Sequence, residues 1–278
     1  MATAGARPYV IPGKPETLIE ITNLLNAAEI DVDKIVYVLR QDVSLYTAVI
    51  ATANNPMFRG KREITSLNEA VVRLGLNTLV TIIRLIALKN ALSKVDRLER
   101  FWDCASEIAD LTVYFNRIIS NKQEENAFSL GMLHNCGIPL LMETLPDYRD
   151  FLQNSEIDDL PTLLALEKTK YGYNHFQISY KIAKRWLLPE PVIQAIALQS
   201  KDPRVIGKMT VVSEDSKLLA CALILAKDVS QAYRHYWRIE NTQQKTNNLK
   251  PILEYSGIPE TDYVEMREDL ISGLVAAS

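Results

Sequence analysis

Histidine is scarce in this chain: 278 residues contain three, His134, His175 and His235, which leaves little material for a histidine-rich metal centre. Cysteine is equally scarce. Cys104, Cys136 and Cys221 are odd in number, lack CxxC spacing and sit in apolar or helical text, which argues against a disulfide framework and suits free thiols in a reducing cytoplasm. Charge of one sign is also missing, since the formal net charge is only −3. No general field draws nucleic acid or an anionic membrane surface. The densest basic stretches, "RGKR" (59 to 62) and "KIAKR" (181 to 185), are short and carry no interleaved aromatics to stack bases. Long hydrophobic runs are absent as well: "VTIIRLIAL" (80 to 88) and "LLACALILA" (218 to 226) stop well below the roughly 20 residues that span a bilayer. The opening "MATAGARPYV" has no apolar core of signal-peptide length. Neither an internal repeat nor a low-complexity tract occurs. The expectation is a cytoplasmic protein with no membrane and no nucleic-acid partner.

What is present is a large apolar fraction, 47% of residues, enough for a sizeable core. Apolar residues recur at three- and four-residue intervals nearly throughout, with no sustained period-two alternation. The fold class is all-α. Leu18, Ile21, Leu24 and Leu25 predict a first helix; Ile35, Val36, Val38 and Leu39 a second; Leu45, Val49 and Ile50 a third that stops at "NNP". Ser66 and Glu69 predict a capping box at the start of a further helix, with Gly75 as its stop. After Gly75, "LNTLVTIIRLIALKNAL" is apolar almost all round and predicts a central helix packed on several sides. Residues 97 to 120 predict a long amphipathic helix with Trp102, Cys104, Ile108, Leu111, Tyr114 and Ile118 or Ile119 on its apolar side. In "EENAFSLGMLHNCGIPLL" a helix ends at Gly137 and Pro139, placing His134 in its last turn. Asn174 is the expected N-cap of a helix beginning at His175. The stretch 201 to 212 reads as irregular, and "NTQQKTNNLKP" (241 to 251) as a polar loop.

Four separated stretches together resemble the HDOD domains, HD-related output domains that are helical relatives of the HD phosphohydrolases. They are "QDVSLYTAVIATANNPMFRG" (41 to 60), "ITSLNEAVVRLGLNTLVTII" (64 to 83), "GMLHNCG" (131 to 137) and "YGYNHFQISYKIAKRWLLPEPVIQAI" (171 to 196), in the family's order. The resemblance implies an all-α, HDOD-like two-lobed helical fold. It has an N-terminal extension over 1–14 and an HDOD domain over 15–205, divided into a helical lobe (15–95) and an HD-like lobe (96–205). Helices of 206–278 pack on the second lobe.

The same resemblance implies where catalytic ligands would stand. Working HD enzymes hold a divalent cation with a histidine, an adjacent His-Asp pair and a later aspartate. Here those positions fall on Cys104, on His134 and Asn135, and on Asp228. Asparagine offers a neutral carbonyl where a carboxylate is wanted, and a thiolate prefers softer metals than a phosphoesterase uses. Further histidines, frequent in the family after the tryptophan helix, are missing from "AIALQSKDP" (195 to 203). The resemblance therefore implies a signal-transduction module with a degenerate metal site, no cofactor and no catalysis, acting on a protein partner. Two alternatives stand beside it: a phosphohydrolase with an atypical metal, and a sensor that binds a nucleotide-like small molecule among Cys104, His134, Asn135, Asp228 and His175. From the residues alone, His134 reads as a helix-terminal side chain bonded to free carbonyls, Cys104 as a buried apolar residue, and His175 with Tyr171 and Tyr173 as packing at a lobe seam. Asp228 reads as solvent-facing or paired with Lys227, Arg234 or His134.

Overall fold

The structure is a computed structural model of the full chain and describes residues 9–25, 27, 29–54, 62–94, 97–120, 122, 124–154, 160–234 and 242–277. Among these, regular structure is entirely helical, as fifteen helices. The chain forms two compact units, one of Pro8–Asp96 with Pro139–Pro146, the other of Arg97–Ile138 with Asp147–Ser278. His235 lies outside the described residues, as do most of "RGKR" and the proline of "NNP".

The first unit begins with α1 (Glu16–Leu25), α2 (Val32–Gln41), α3 (Val43–Ala53) and α4 (Leu67–Leu92). Asp31 and Asp42 cap α2 and α3, each accepting a backbone N–H three residues on. The Asn54 amide, just past α3, acts as a peptide mimic: it accepts from the Ile64 N–H and donates to the Ile64 carbonyl, both at 2.7 Å. That clamp holds the residues before α4 against Ala53, Ala70, Ile50 and Leu74. Ser66 caps α4 as expected, at 3.2 Å to Glu69 N, but the Glu69 carboxylate reaches the Thr65 N–H rather than that of Ser66. Gly75 does interrupt the helix, with a left-handed φ of 73°, yet the chain resumes at once and α4 runs on as a kinked element. By length and composition α4 could cross a membrane, with mean hydropathy 1.8 over its best 18-residue window, but half of that window is buried within the protein, as in a core helix.

The second unit is built on α5 (Glu99–Ile119), α6 (Glu124–Leu133), α11 (Glu190–Leu198) and α13 (Glu214–Arg234), where α5 packs on both α6 and α13 and α11 packs on α13. All of Asn126–Leu133 on α6 is buried. The expected apolar side of α5 is shifted: Trp102, Ile108, Leu111 and Phe115 are buried, whereas Tyr114 and Ile118 face solvent at 37% and 45% exposure. The stretch after "HNC" is two helices, α7 (Gly137–Thr144), only the start of which belongs to this unit, and α8 (Tyr148–Asn154). Next come α9 (Leu160–Tyr171), α10 (His175–Arg185) and the short α12 (Pro203–Ile206) within the stretch read as irregular. Asn174 caps α10 in a complete capping box with Gln177, and Trp186 is fully buried behind it. The expected polar loop at 241 to 251 is instead mostly helix, α14 (Thr242–Ser256), with Pro251 inside it. Tertiary burial of Leu249, Ile252 and Leu253 overrides the polar composition. The chain closes with α15 (Glu260–Ala277), packed on α13.

Candidate functional site

The expected site residues lie in the second unit, where α6 ends and α5, α10, α11 and α13 surround it. The His134 N–H still bonds the Leu130 carbonyl at 2.8 Å, so the residue closes the last turn of α6. Its ring is 2% exposed, and Nδ1 stands 2.7 Å from the Gly131 carbonyl oxygen. A carbonyl can only accept, so Nδ1 carries the proton and Nε2 holds a lone pair. That Nε2 is buried without a hydrogen-bond partner, and so is Oδ1 of the adjacent Asn135. Burial, with the nearby Lys227 ammonium second, lowers the His134 pKa to about 3. The imidazole is therefore neutral, and its bond to a free carbonyl needs no contribution from helix-dipole attraction.

This has a consequence in acid. The unfolded chain takes up a proton near pH 6.5, while the folded chain resists it down to about pH 3, so stability present above pH 6.5 is lost as pH falls through that window. A slope of about 1.4 kcal/mol per pH unit is expected from this group between about pH 6 and pH 3.5. Chemical denaturation across that range should show a shallower decline in His134→Gln than in the wild type; parallel declines would refute the assignment.

Lys227, on α13, supplies the charge closest to the chemistry of this cluster. Its Nζ lies 3.3 Å from Gln199 Oε1, and the Gln199 amide nitrogen donates to the His134 carbonyl at 2.9 Å. The same ammonium stands over the Phe176 ring, 5.5 Å from its centroid. Burial lowers its pKa to about 8, with Cys104 opposing that shift, so the ammonium is the major form at pH 7. Cys104, on α5, is half-buried rather than fully buried as expected.

Asp228 does not join this cluster. Its Oδ2 accepts from Tyr263 Oη and from Arg267 Nε, both at 2.7 Å, which ties α13 to α15. The expected pairing with Lys227 or His134 is therefore replaced by an ion pair with the C-terminal helix, and the side chain of Arg234 lies outside the described residues. Successive helical positions are about 100° apart, so turning Lys227 inward turns Asp228 toward α15. Among the described residues no three His, Cys, Asp or Glu side chains gather closely enough to hold a metal ion, and Cys104, His134 and Asp228 do not form one ligand set.

His175 belongs to a second network. Its Nδ1 lies 2.8 Å and 2.9 Å from the two carboxylate oxygens of Glu167, and its backbone N–H donates to Oε2 at 3.1 Å. The Tyr148 hydroxyl donates to Oε1. Glu167 is fully buried and His175 nearly so, so His175 is held by an internal carboxylate. Three donors, one of them at the N-terminus of α10, compensate a charge that would otherwise be costly to bury. Below it, Ser179 Oγ accepts from the Gly137 N–H at 2.9 Å and donates to the His175 carbonyl at 3.0 Å. Burial pushes the Cys136 thiol, which faces the Ser179 carbonyl, up to about 12. Sequence reasoning missed Glu167 and Gln199 as members of these networks, and considered Lys227 only as a partner for Asp228.

Comparison with known proteins agrees on the fold. The family described as HDOD domain matches residues 11–202. A protein of Shewanella amazonensis SB2B named as a candidate phosphohydrolase has a similar structure, with TM-score 0.68 and 24% identity over 93% of this chain and 90% of that one. An HDOD domain protein of unknown function from Geobacter sulfurreducens gives TM-score 0.65 and 19% identity over 99% and 93%. An uncharacterized protein of Treponema pallidum (strain Nichols) is 26% identical over 199 residues, which span 69% of this chain and 38% of that protein.

Proposed function

The chain belongs to the HDOD domain family, and from that premise we propose that it is a cytoplasmic regulatory module of bacterial type that works by contact with a protein partner and not by phosphoester cleavage. The observation that carries this reading is the Lys227 ammonium beside His134. A divalent cation wants anionic oxygen donors. The cluster offers instead one imidazole nitrogen, the neutral Asn135 oxygen, a half-buried thiol and a positive charge, while the Asp228 carboxylate is engaged by Arg267 and Tyr263. His134 alone keeps the tautomer of a metal ligand, with Nδ1–H on a carbonyl and Nε2 open. One ready donor facing a cation does not suit the metal that the HD enzymes use.

Purified protein assayed on aryl phosphomonoesters and diesters with added manganese, zinc or iron should show no turnover above the His134→Ala variant. Metal-dependent turnover that disappears in His134→Ala would establish the enzymatic alternative. Crosslinking in the native cell should recover a reproducible protein partner.

The two buried acceptors without donors, His134 Nε2 and Asn135 Oδ1, favour a second reading, in which a small molecule bearing N–H or O–H groups completes them. A thermal-shift screen with cyclic dinucleotides and nucleotides tests it: a saturable rise in Tm that is lost in Asn135→Ala supports the sensor, and no response leaves the protein-contact reading.

A further inference from the structure

We propose that Phe151, Tyr171 and Asp147 form an aromatic cage for a quaternary ammonium group, with Lys170 as its tethered resident. The Lys170 Nζ stands over two rings at once, 5.0 Å from the centroid of Phe151 and 5.1 Å from that of Tyr171, and 3.1 Å from Asp147 Oδ2. The two rings are 5.5 Å apart and nearly perpendicular, at 88°. They are adjoining walls of one box, and the carboxylate is a third. Each wall attracts a cation, the ring faces through their quadrupoles and the carboxylate through its charge. All of these residues lie in the second unit, around α8 and at the end of α9.

The walls are held in place by the core. Tyr171 is 3% exposed and Tyr148 fully buried; the Tyr148 ring packs 5.7 Å from Tyr171 and 6.0 Å from Phe151, and its hydroxyl is engaged by Glu167. The occupant is held far less firmly. The side chains of Lys170 and Asp147 are 46% and 43% exposed, and an ion pair that open to water adds little. A primary ammonium is also strongly hydrated, so it gives up water to stand over the rings. A quaternary ammonium carries the same charge without N–H groups to hydrate, and aromatic cages favour it for that reason. Such a group displaces Lys170, whose flexible four-carbon stem lets its ammonium return to solvent. The inference rests neither on the His134 cluster nor on the protein-contact reading.

Thermal denaturation of the full chain with choline chloride, and separately with a short trimethyllysine peptide, against sodium chloride of equal ionic strength tests the cage. The wild type should show a saturable rise in Tm of about 3–5 °C at ten times the dissociation constant. Both sources of the group support the cage: a peptide at least tenfold tighter than choline marks a modified protein, and choline binding as tightly as the peptide marks a small molecule. Lys170→Ala should tighten choline binding about two- to fivefold, because the tethered competitor is gone. Phe151→Leu should abolish the response, and Asp147→Asn should weaken it at least threefold. A rise no greater than sodium chloride or ammonium chloride produces would overturn the proposal, and so would a saturable rise that Asp147→Asn leaves unchanged. Asp147→Asn alters a half-exposed side chain, so it decides the matter even if Phe151→Leu does not fold.

Discussion

Gly131→Ala is expected to lower Tm by about 10 °C or to leave the protein insoluble. A Cβ at position 131 would stand 2.3 Å from the Ala109 Cα and 2.7 Å from its backbone nitrogen. Both atoms belong to the main chain of α5, so no rotamer change relieves the overlap, and α5 and α6 must separate along a wholly buried face. Overpacking of this kind costs about 3 kcal/mol, and each kcal/mol lowers Tm by about 2–4 °C in a domain of this size. Trimming the facing residue does not rescue the fold: Ala109→Gly removes a Cβ 3.0 Å away and leaves the closer main-chain contacts in place. Circular-dichroism melts of the single and double variants check both statements. A Tm within 2 °C of wild type for Gly131→Ala would show that the two helices do not approach this closely.

The second large effect is expected at Glu167→Ala. The substitution leaves the Tyr148 hydroxyl, the His175 backbone N–H and the His175 ring with their acceptor gone, all in the interior. Each buried donor left without its acceptor costs about 1–3 kcal/mol, here with a cavity added. Tm should fall by about 10 °C, and the loss should be non-additive with His175→Ala, since either change dissolves the same network. Glu167→Gln, which keeps the volume and one acceptor, should lose less. Additive losses in the double variant, measured by urea denaturation, would mean that the two side chains do not depend on each other.

These two positions show what the sequence revealed and what it hid. The helical period exposed α1 to α6 and α10 well, because their apolar stripes are regular and their caps conventional, as at Ser66 and Asn174. The segment "GMLHNCG" was legible as a motif but only in part as chemistry. Its two glycines are required by packing: Gly131 by α5, and Gly137 because a Cβ there would lie 2.2 Å from the His175 carbonyl oxygen. They keep the family's pattern recognisable around a changed set of donors. Lys227 and Asp228 could not be told apart from sequence, since the phase of a long buried helix depends on partners far away, and Tyr263 and Arg267 are 35 and 39 residues further on. Glu167 sits in "LEKTKYG", polar text that reads as a solvated surface; only Tyr148, 19 residues earlier, and His175 make it interior. Helix α14 was hidden by its composition, with Leu249, Ile252 and Leu253 supplying the anchor.

The eight residues from Pro139 to Pro146 belong with Pro8–Asp96, although the chain on either side of them belongs elsewhere. Neither half of the molecule is thus a contiguous stretch of gene. A fragment stopped at residue 96 would be missing a piece of itself, and one started at residue 97 would carry a piece with nothing to join. Shuffling by simple truncation or fusion at that boundary is closed to this architecture, and the two halves must be inherited, and synthesised, as one.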